Sequence, residues 1–226
     1  MFLAAIIQGS VGFGANVVAV PTLFLIDPAF VPIPALFAGF GINILMLWRD
    51  RQATTLRPVA TALAGRVVGT ALGIAALGAV SEQGLGIIVA VVVFAVVGAG
   101  VFGLSADRSP TNLLTGGVFS GFGASTAGIG GPPVALLFQN AEGPEVRGSL
   151  GAFFVVGNVI SLSGMALAGF FGPEELRLGL LLTPAAVAGF ACTRWVVPHI
   201  DRGHTRTAIL AASAAAALAL LLKLLW

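Results

Sequence analysis

The sequence predicts an all-α, polytopic integral membrane protein, and three observations carry that prediction. Of 226 residues, 58% are hydrophobic and only 9% are charged, against about 25% charged in an average soluble domain. Mean hydropathy is +1.03. The uncharged stretches between charges are long enough to cross a bilayer, which takes about 20 residues of helix. A soluble domain could not cover this chain with polar surface. The 11 basic residues are scattered and offset by 9 acidic ones, so no phosphate-neutralising cluster marks a nucleic-acid binder. The single cysteine, Cys192, has no partner for an internal disulfide. The start lacks the basic region and small-residue cleavage site of a signal peptide, so the first apolar segment is expected to be retained.

Taken in order, the charge-free runs give full spans near 30–48, 58–80, 84–105, 148–171, 177–198 and 205–225. Pro58 suits a first helical turn, where its missing N–H costs nothing. Two further runs cannot be simple spans. Residues 109–141 carry no charge, and as one helix would extend roughly 50 Å. Gly128-Ile129-Gly130-Gly131-Pro132-Pro133 interrupts this run, and Gly9-Ser10-Val11-Gly12-Phe13-Gly14 interrupts residues 1–26. Glycine releases the backbone from helical geometry and proline removes a donor. Each run is therefore expected to be a pair of half-helices, a broken helix or re-entrant hairpin whose non-helical backbone faces protein or a wet cavity. The chain then has eight hydrophobic segments, about six full spans plus two broken ones.

Positive charge near span ends discriminates the topologies. If all eight segments cross, six cations fall on one side and four on the other. If the broken segments re-enter, Arg49, Arg51, Arg57, Arg108, Arg147, Arg194, Arg202 and Arg206 share a face against Arg177 and Lys223. The second arrangement is favoured. Trp48, Trp195 and Trp226 sit at span ends, as interfacial anchors do.

The halves resemble each other. Gly12-Phe13-Gly14 matches Gly128-Ile129-Gly130, Asn43 and Asn158 follow at similar distances, and Leu63-Ala64-Gly65 resembles Val187-Ala188-Gly189. One membrane domain, 1–226, would thus hold two repeats, 1–106 and 109–226, inverted because each has three full spans. Broken helices at matching places in inverted repeats point to a secondary transporter's binding site. Gly65, Gly69 and Gly73 read instead as a helix-packing stripe.

The N-terminal glycine break, the stretch Gly128–Pro133, and Arg147 followed by an aromatic-rich helix with Asn158 resemble the TauE/SafE family of sulfite exporter-like permeases. The resemblance covers most of the chain. Its first half shows Gly12-Phe13-Gly14-Ala15-Asn16 where members often have further glycines. The resemblance implies a multi-pass protein of the cell (inner) membrane that moves sulfite, thiosulfate, organosulfonates or related anions.

The expected partners are a small anion and the lipid bilayer, with no nucleic acid; the oligomeric state stays open between a monomer and a homo-oligomer. Anion recognition needs donors, and a helix N-terminus presents free N–H groups at the positive end of its dipole. Pro132 and Pro133 would open a helix through Val134–Phe138, with Gly128, Gly130 and Gly131 as curving donors and Ser125 and Thr126 nearby. Gly12, Gly14 and Asn16 would act likewise in the first half. Asn43 and Asn158 either contact the ligand or brace the breaks. Arg66, the only charge well inside a span, either faces the anion path or snorkels to the basic face. Backbone donors are expected to outweigh it. Arg147, near Glu142 and Glu145, reads as a solvated loop charge more readily than as a gate. No catalytic constellation, metal-ligand spacing or phosphate loop occurs, so neither an enzyme nor a cofactor is expected. The leading function is a secondary anion transporter working by alternating access around the two breaks; the alternative is a passive anion channel with a glycine-lined constriction.

Overall fold

A computed structural model describes residues 1–102 and 106–200, and among them every regular element is a helix. In chain order these are α1 (Phe2–Val11), α2 (Ala15–Ile26), α3 (Ile33–Asp50), α4 (Leu56–Ala79), α5 (Glu82–Val101), α6 (Pro110–Ala127), α7 (Gly131–Phe138), α8 (Gly143–Leu167) and α9 (Pro173–Ile200), with short 3₁₀ turns at Pro28–Phe30 and Arg51–Ala53. Five stretches are long and apolar enough to span a bilayer: Pro28–Ala53, Leu56–Ala79, Glu82–Ala99, Gly143–Leu167 and Pro173–Trp195. They coincide with the expected spans from 30–48 to 177–198. The span at 205–225 lies outside the described residues, with Arg202, Arg206, Lys223 and Trp226. Prolines open α6 and α9 and sit in the first turns of α3, α4, α7 and α8.

Both uncharged runs are broken helices. α1 stops at Gly12 (φ +101°) and α6 stops at Gly128 (φ +71°). At each, the glycine N–H returns to the carbonyl four residues back, Gln8 at 2.7 Å and Ala124 at 3.0 Å. A side chain in this left-handed region would clash with the backbone, so the glycines dictate where the helices end. α2 then restarts after Gly14 (φ +103°), and α7 restarts at Gly131 behind Pro132 and Pro133.

The tightest packing joins α4 to α6. A Cβ on Gly65 would lie 2.0 Å from the Leu114 carbonyl oxygen, and one on Gly69 would lie 1.9 Å from that of Val118. Gly73 meets Phe122 and Ser125 in the same register. The paired numbers rise together, so the two helices run in the same direction. The expected packing stripe is therefore real, and Gly117 and Gly121 reciprocate it from α6, against Ala62 and Arg66. α1 packs on α9 in a like manner, with Gly189 against Phe2 and Gly9 against Thr193 and Phe190. The outward faces are apolar: Val67, Val68 and Leu72 on α4, Val91 on α5, and Leu180 and Leu181 on α9 are all exposed. That inversion of the soluble pattern suits a lipid surround. Trp48 and Trp195 are exposed near span ends.

One end of the bundle is tied by charge. Arg49 pairs with Asp50 (2.9 Å) and donates to the Gly9 carbonyl (2.6 Å) and to Thr193 Oγ1 (3.2 Å). Arg108, just before α6, donates to the Leu137 carbonyl (3.1 Å), stacks 4.7 Å from the Phe138 ring and pairs with Glu145 (2.6 Å). The two ends of the segment 109–141 therefore lie side by side. Arg147 corrects the sequence reading. It is not a loop charge beside Glu142 and Glu145 but an α8 residue paired with Asp50 across the bundle (3.1 Å), its side chain only 16% exposed.

The α4–α6 contact can be tested with one methyl group. Gly69→Ala should lower stability by about 1–3 kcal/mol, the usual cost of overpacking. Gly41→Ala, where nothing lies within 4 Å of the added carbon, should leave it unchanged. Thermal unfolding of both variants in detergent measures the difference.

Candidate functional site

The two breaks meet around one cavity of about 40 Å³. A single water needs roughly 10–15 Å³ on this scale, so the space suits a few waters or one small polyatomic ion. The first break contributes Gln8, Gly14 and Asn16; the second contributes Gly128, Ile129, Gly130 and Gly131. The continuous helices add Leu36, Gly39 and Asn43 from α3, Arg66 from α4, and Phe154 and Asn158 from α8.

Arg66 sets the electrostatics. It lies ten residues into α4, roughly 15 Å along the axis, or half of the hydrocarbon core of about 30 Å. Its relative exposure is 1%. The snorkelling alternative is thereby excluded, because the guanidinium turns inward instead of toward the basic end. Its NH1 donates to Ser120 Oγ (3.0 Å), and its NH2 donates to Asn158 Oδ1 (3.3 Å) and Ser161 Oγ (3.5 Å). The Phe153 ring stacks 5.0 Å away. Gly157 makes this posture feasible: a Cβ there would lie 2.2 Å from Arg66 Nε. Every one of these partners is neutral. The carboxylates paired with arginine among the described residues are Asp50, Glu145 and Glu174, and no Asp or Glu lines the cavity. Nε has no hydrogen-bond partner. A buried cation without a counter-charge is costly, and the cavity beside it is where an anion would offset that cost.

The breaks differ in what they can offer. In the first, Gln8 Oε1 accepts from the Ala15 N–H (3.2 Å), and Gln8 Nε2 donates to Asn43 Oδ1. The α2 N-terminus is thus partly capped from within, and Asn43 braces the break. In the second, the N–H groups of Gly128 and Ile129 are bonded to Ala124 and Gly123, while no side chain caps α7. The N–H groups of Gly130 and Gly131 make no turn or cap bond to backbone among the described residues. Ser120 Oγ donates to the Gly130 carbonyl, which couples this break to Arg66. Asn16 Nδ2 donates to the Gly128 carbonyl (2.7 Å) and joins the two breaks.

Of the residues singled out in the sequence, Gly14, Asn16, Asn43, Arg66, Gly128, Gly130, Gly131 and Asn158 converge on the cavity. The others do not line it. Gly12 packs against Val146 and Arg147, Thr126 Oγ1 bonds back to the Phe122 carbonyl (2.8 Å), Ser125 abuts Gly73, and Pro132 and Pro133 form the first turn of α7. Gln8 caps one of the two half-helices expected to supply backbone donors. Gln8, Ser120 and Ser161 were not anticipated. Their signal is a polar side chain in an apolar run, which without a partner in view is indistinguishable from a packing residue.

Paired half-helices around a buried cationic cavity, inside a shell of apolar helices, define a polytopic membrane protein. The chain belongs to the sulfite exporter TauE/SafE family, whose family model matches residues 1–220. It is also similar to a "Probable membrane transporter protein" of Haemophilus influenzae, 28% identical over 102 residues, 43% of this chain and 38% of that protein. The alignment thus spans well under half of that relative. No solved structure matches.

Two glycines separate steric from functional effects. A Cβ on Gly130 would lie 2.7 Å from the Ser120 carbonyl oxygen, whereas on Gly131 the nearest atoms are 3.5 Å away, on Phe13 and Phe154. Gly130→Val should lower stability by about 1–3 kcal/mol. Gly131→Val should fold normally, intrude on the cavity and cut anion flux at least about tenfold. Detergent melting curves and proteoliposome flux together check the pair.

Proposed function

We propose that the chain is a secondary transporter of small sulfur-containing anions of the sulfite class, multi-pass in the cell membrane, with the bound anion held between the two breaks by Arg66, Asn158 and the N–H groups of Gly130 and Gly131. The observation that carries this reading is Arg66, buried at 1% exposure in a cavity without a carboxylate. The sulfur class rests on the family's description.

Alternating access would rock two inverted repeats against each other, and reciprocal packing supports them. Phe2 meets Gly189 as Val118 meets Gly69, and Gly9 meets Thr193 as Ser125 meets Gly73. Phe2 and Val118, Gly9 and Ser125, and Gly12 and Gly128 are each 116 positions apart. Gly69 and Gly189, and Gly73 and Thr193, are each 120 apart. This register sets Gly189 opposite Gly69, one turn beyond the sequence match to Gly65. The contact of Arg108 with Leu137 and Phe138 supports re-entry of 109–141 from the basic end, which we assign to the cytoplasm by the positive-inside rule.

The topology is read by labelling single cysteines in a Cys192→Ala background. Gln52→Cys and Glu142→Cys should react from the cytoplasmic side and Ala168→Cys from the other. Labelling of positions 52 and 142 from opposite sides would mean that 109–141 crosses.

Arg66→Gln should abolish concentration-dependent flux of labelled sulfite, by at least about a hundredfold, or 2.7 kcal/mol in transition-state terms. The same variant should melt no lower than the native protein without ligand, because it removes an unpaired buried charge. A merely structural arginine would give the opposite pair of results: reduced stability, with flux per folded molecule retained.

A further inference from the structure

The charge and hydrogen-bonding inventory of the cavity says more about its occupant than that it is an anion. We infer that the site accepts small oxyanions in their protonated form, with a single negative charge and one acidic O–H, so that each transported anion carries a proton with it. This rests on the transport reading above and specifies its substrate.

The first argument is charge balance. Among the described residues, Arg66 is the one ionised side chain lining the cavity. The helix ends nearby contribute little net charge. At each break a helix C-terminus and a helix N-terminus lie within a few residues, α1 beside α2 and α6 beside α7, and their half-charges oppose each other. The α2 N-terminus is in addition occupied by Gln8 Oε1. A monoanion therefore leaves the site neutral, whereas a dianion leaves a buried net charge at mid-membrane, which is costly.

The second argument is the acceptor. Asn16 Oδ1 is buried and has no partner. Its orientation is determined by chemistry: Nδ2 donates to the Gly128 carbonyl at 2.7 Å, and exchanging the two atoms would set oxygen against oxygen. A Cβ on Gly39, which also lines the cavity, would stand 3.9 Å from this oxygen. A fully deprotonated oxyanion only accepts hydrogen bonds and would be repelled there. A protonated one donates its O–H to Asn16 Oδ1 while its remaining oxygens accept from Arg66. The volume of about 40 Å³ suits such a small ion.

Among the described residues no carboxylate lines the cavity to relay a proton. A substrate that brings its own proton needs none.

The test uses the full chain in proteoliposomes with equal pH on both sides. Uptake of labelled sulfite is measured against concentration between about pH 6 and about pH 8, a range that spans the ionisation of hydrogen sulfite. Nitrate, a monoanion of fixed charge without a hydroxyl, serves as competitor. The KM expressed as total sulfite should rise about tenfold across the range and collapse to one value when expressed as hydrogen sulfite. The inhibition constant of nitrate should change by less than about twofold. Asn16→Leu should raise the KM for hydrogen sulfite several times more than it raises the nitrate constant. A KM in total sulfite that is flat or falls with pH would show that the dianion is the substrate and overturn the inference, with transport itself intact. Parallel shifts of sulfite and nitrate with pH would assign the effect to the protein and overturn it too. Equal losses for both anions in Asn16→Leu would remove the hydroxyl contact. Absence of sulfite uptake at every pH would defeat the transport reading and this inference with it.

Discussion

The structure is organised around one unpaired guanidinium at mid-membrane. Arg66 comes from α4, its hydrogen-bond acceptors from α6 and α8, and its stacking partner from α8. These neutral dipoles solvate the charge without cancelling it. An aspartate in place of Ser120 or Asn158 would pair with it directly, but the same carboxylate would occupy the role left to a ligand. Holding a bare cation there demands that three helices approach closely. Gly117 and Gly121 face the α4 backbone, and Gly157 lies against the guanidinium itself. Arg66 and this set of glycines therefore form one constraint.

Glycine serves two different physical purposes in this chain, and the distinction organises the fold. At Gly12, Gly14 and Gly128 the need is a positive φ, which ends or restarts a half-helix. At Gly65, Gly69, Gly117 and Gly157 the backbone is ordinary helix, and the need is proximity to a neighbouring carbonyl or side chain. The first group puts irregular backbone at membrane depth. The second packs the continuous helices tightly enough that this backbone is enclosed. Either group alone would leave unsatisfied polar groups facing lipid, which the bilayer does not tolerate.

Much of this was legible in the sequence because glycine and proline act locally. The two breaks, the packing stripe and five of the spans follow from residues within one or two turns of each other. What was not legible depends on partners distant in sequence. Arg147 read as a loop charge because its neighbours in sequence are Glu142 and Glu145, whereas its actual partner, Asp50, is 97 residues away. Arg66 was recognisable as a buried charge, but whether it turned inward depended on Ser120 and Asn158, and on the missing side chain of Gly157. Gln8 escaped notice because one carboxamide in an apolar segment has no periodicity. Only the fold reveals that it reaches both Ala15 and Asn43.

The two breaks differ in polar inventory, and that difference bears on charge balance at the cavity. Asn43 and Asn158 occupy matching places in the proposed repeats. Asn43 accepts from Gln8, a neutral residue of the first break, and Asn158 accepts from Arg66. The register that pairs Gly69 with Gly189 sets Arg66 opposite Ala186, which is fully buried and apolar. A duplication that kept a cation in both halves would confront two guanidiniums across a small cavity, and their repulsion at low dielectric would be severe. With a cation at one position and alanine at its counterpart in the proposed repeat, a single charge faces the cavity among the described residues. In the proposed transport cycle the first break, capped by Gln8, would act as a wall of the site while the second break and Arg66 would hold the ligand.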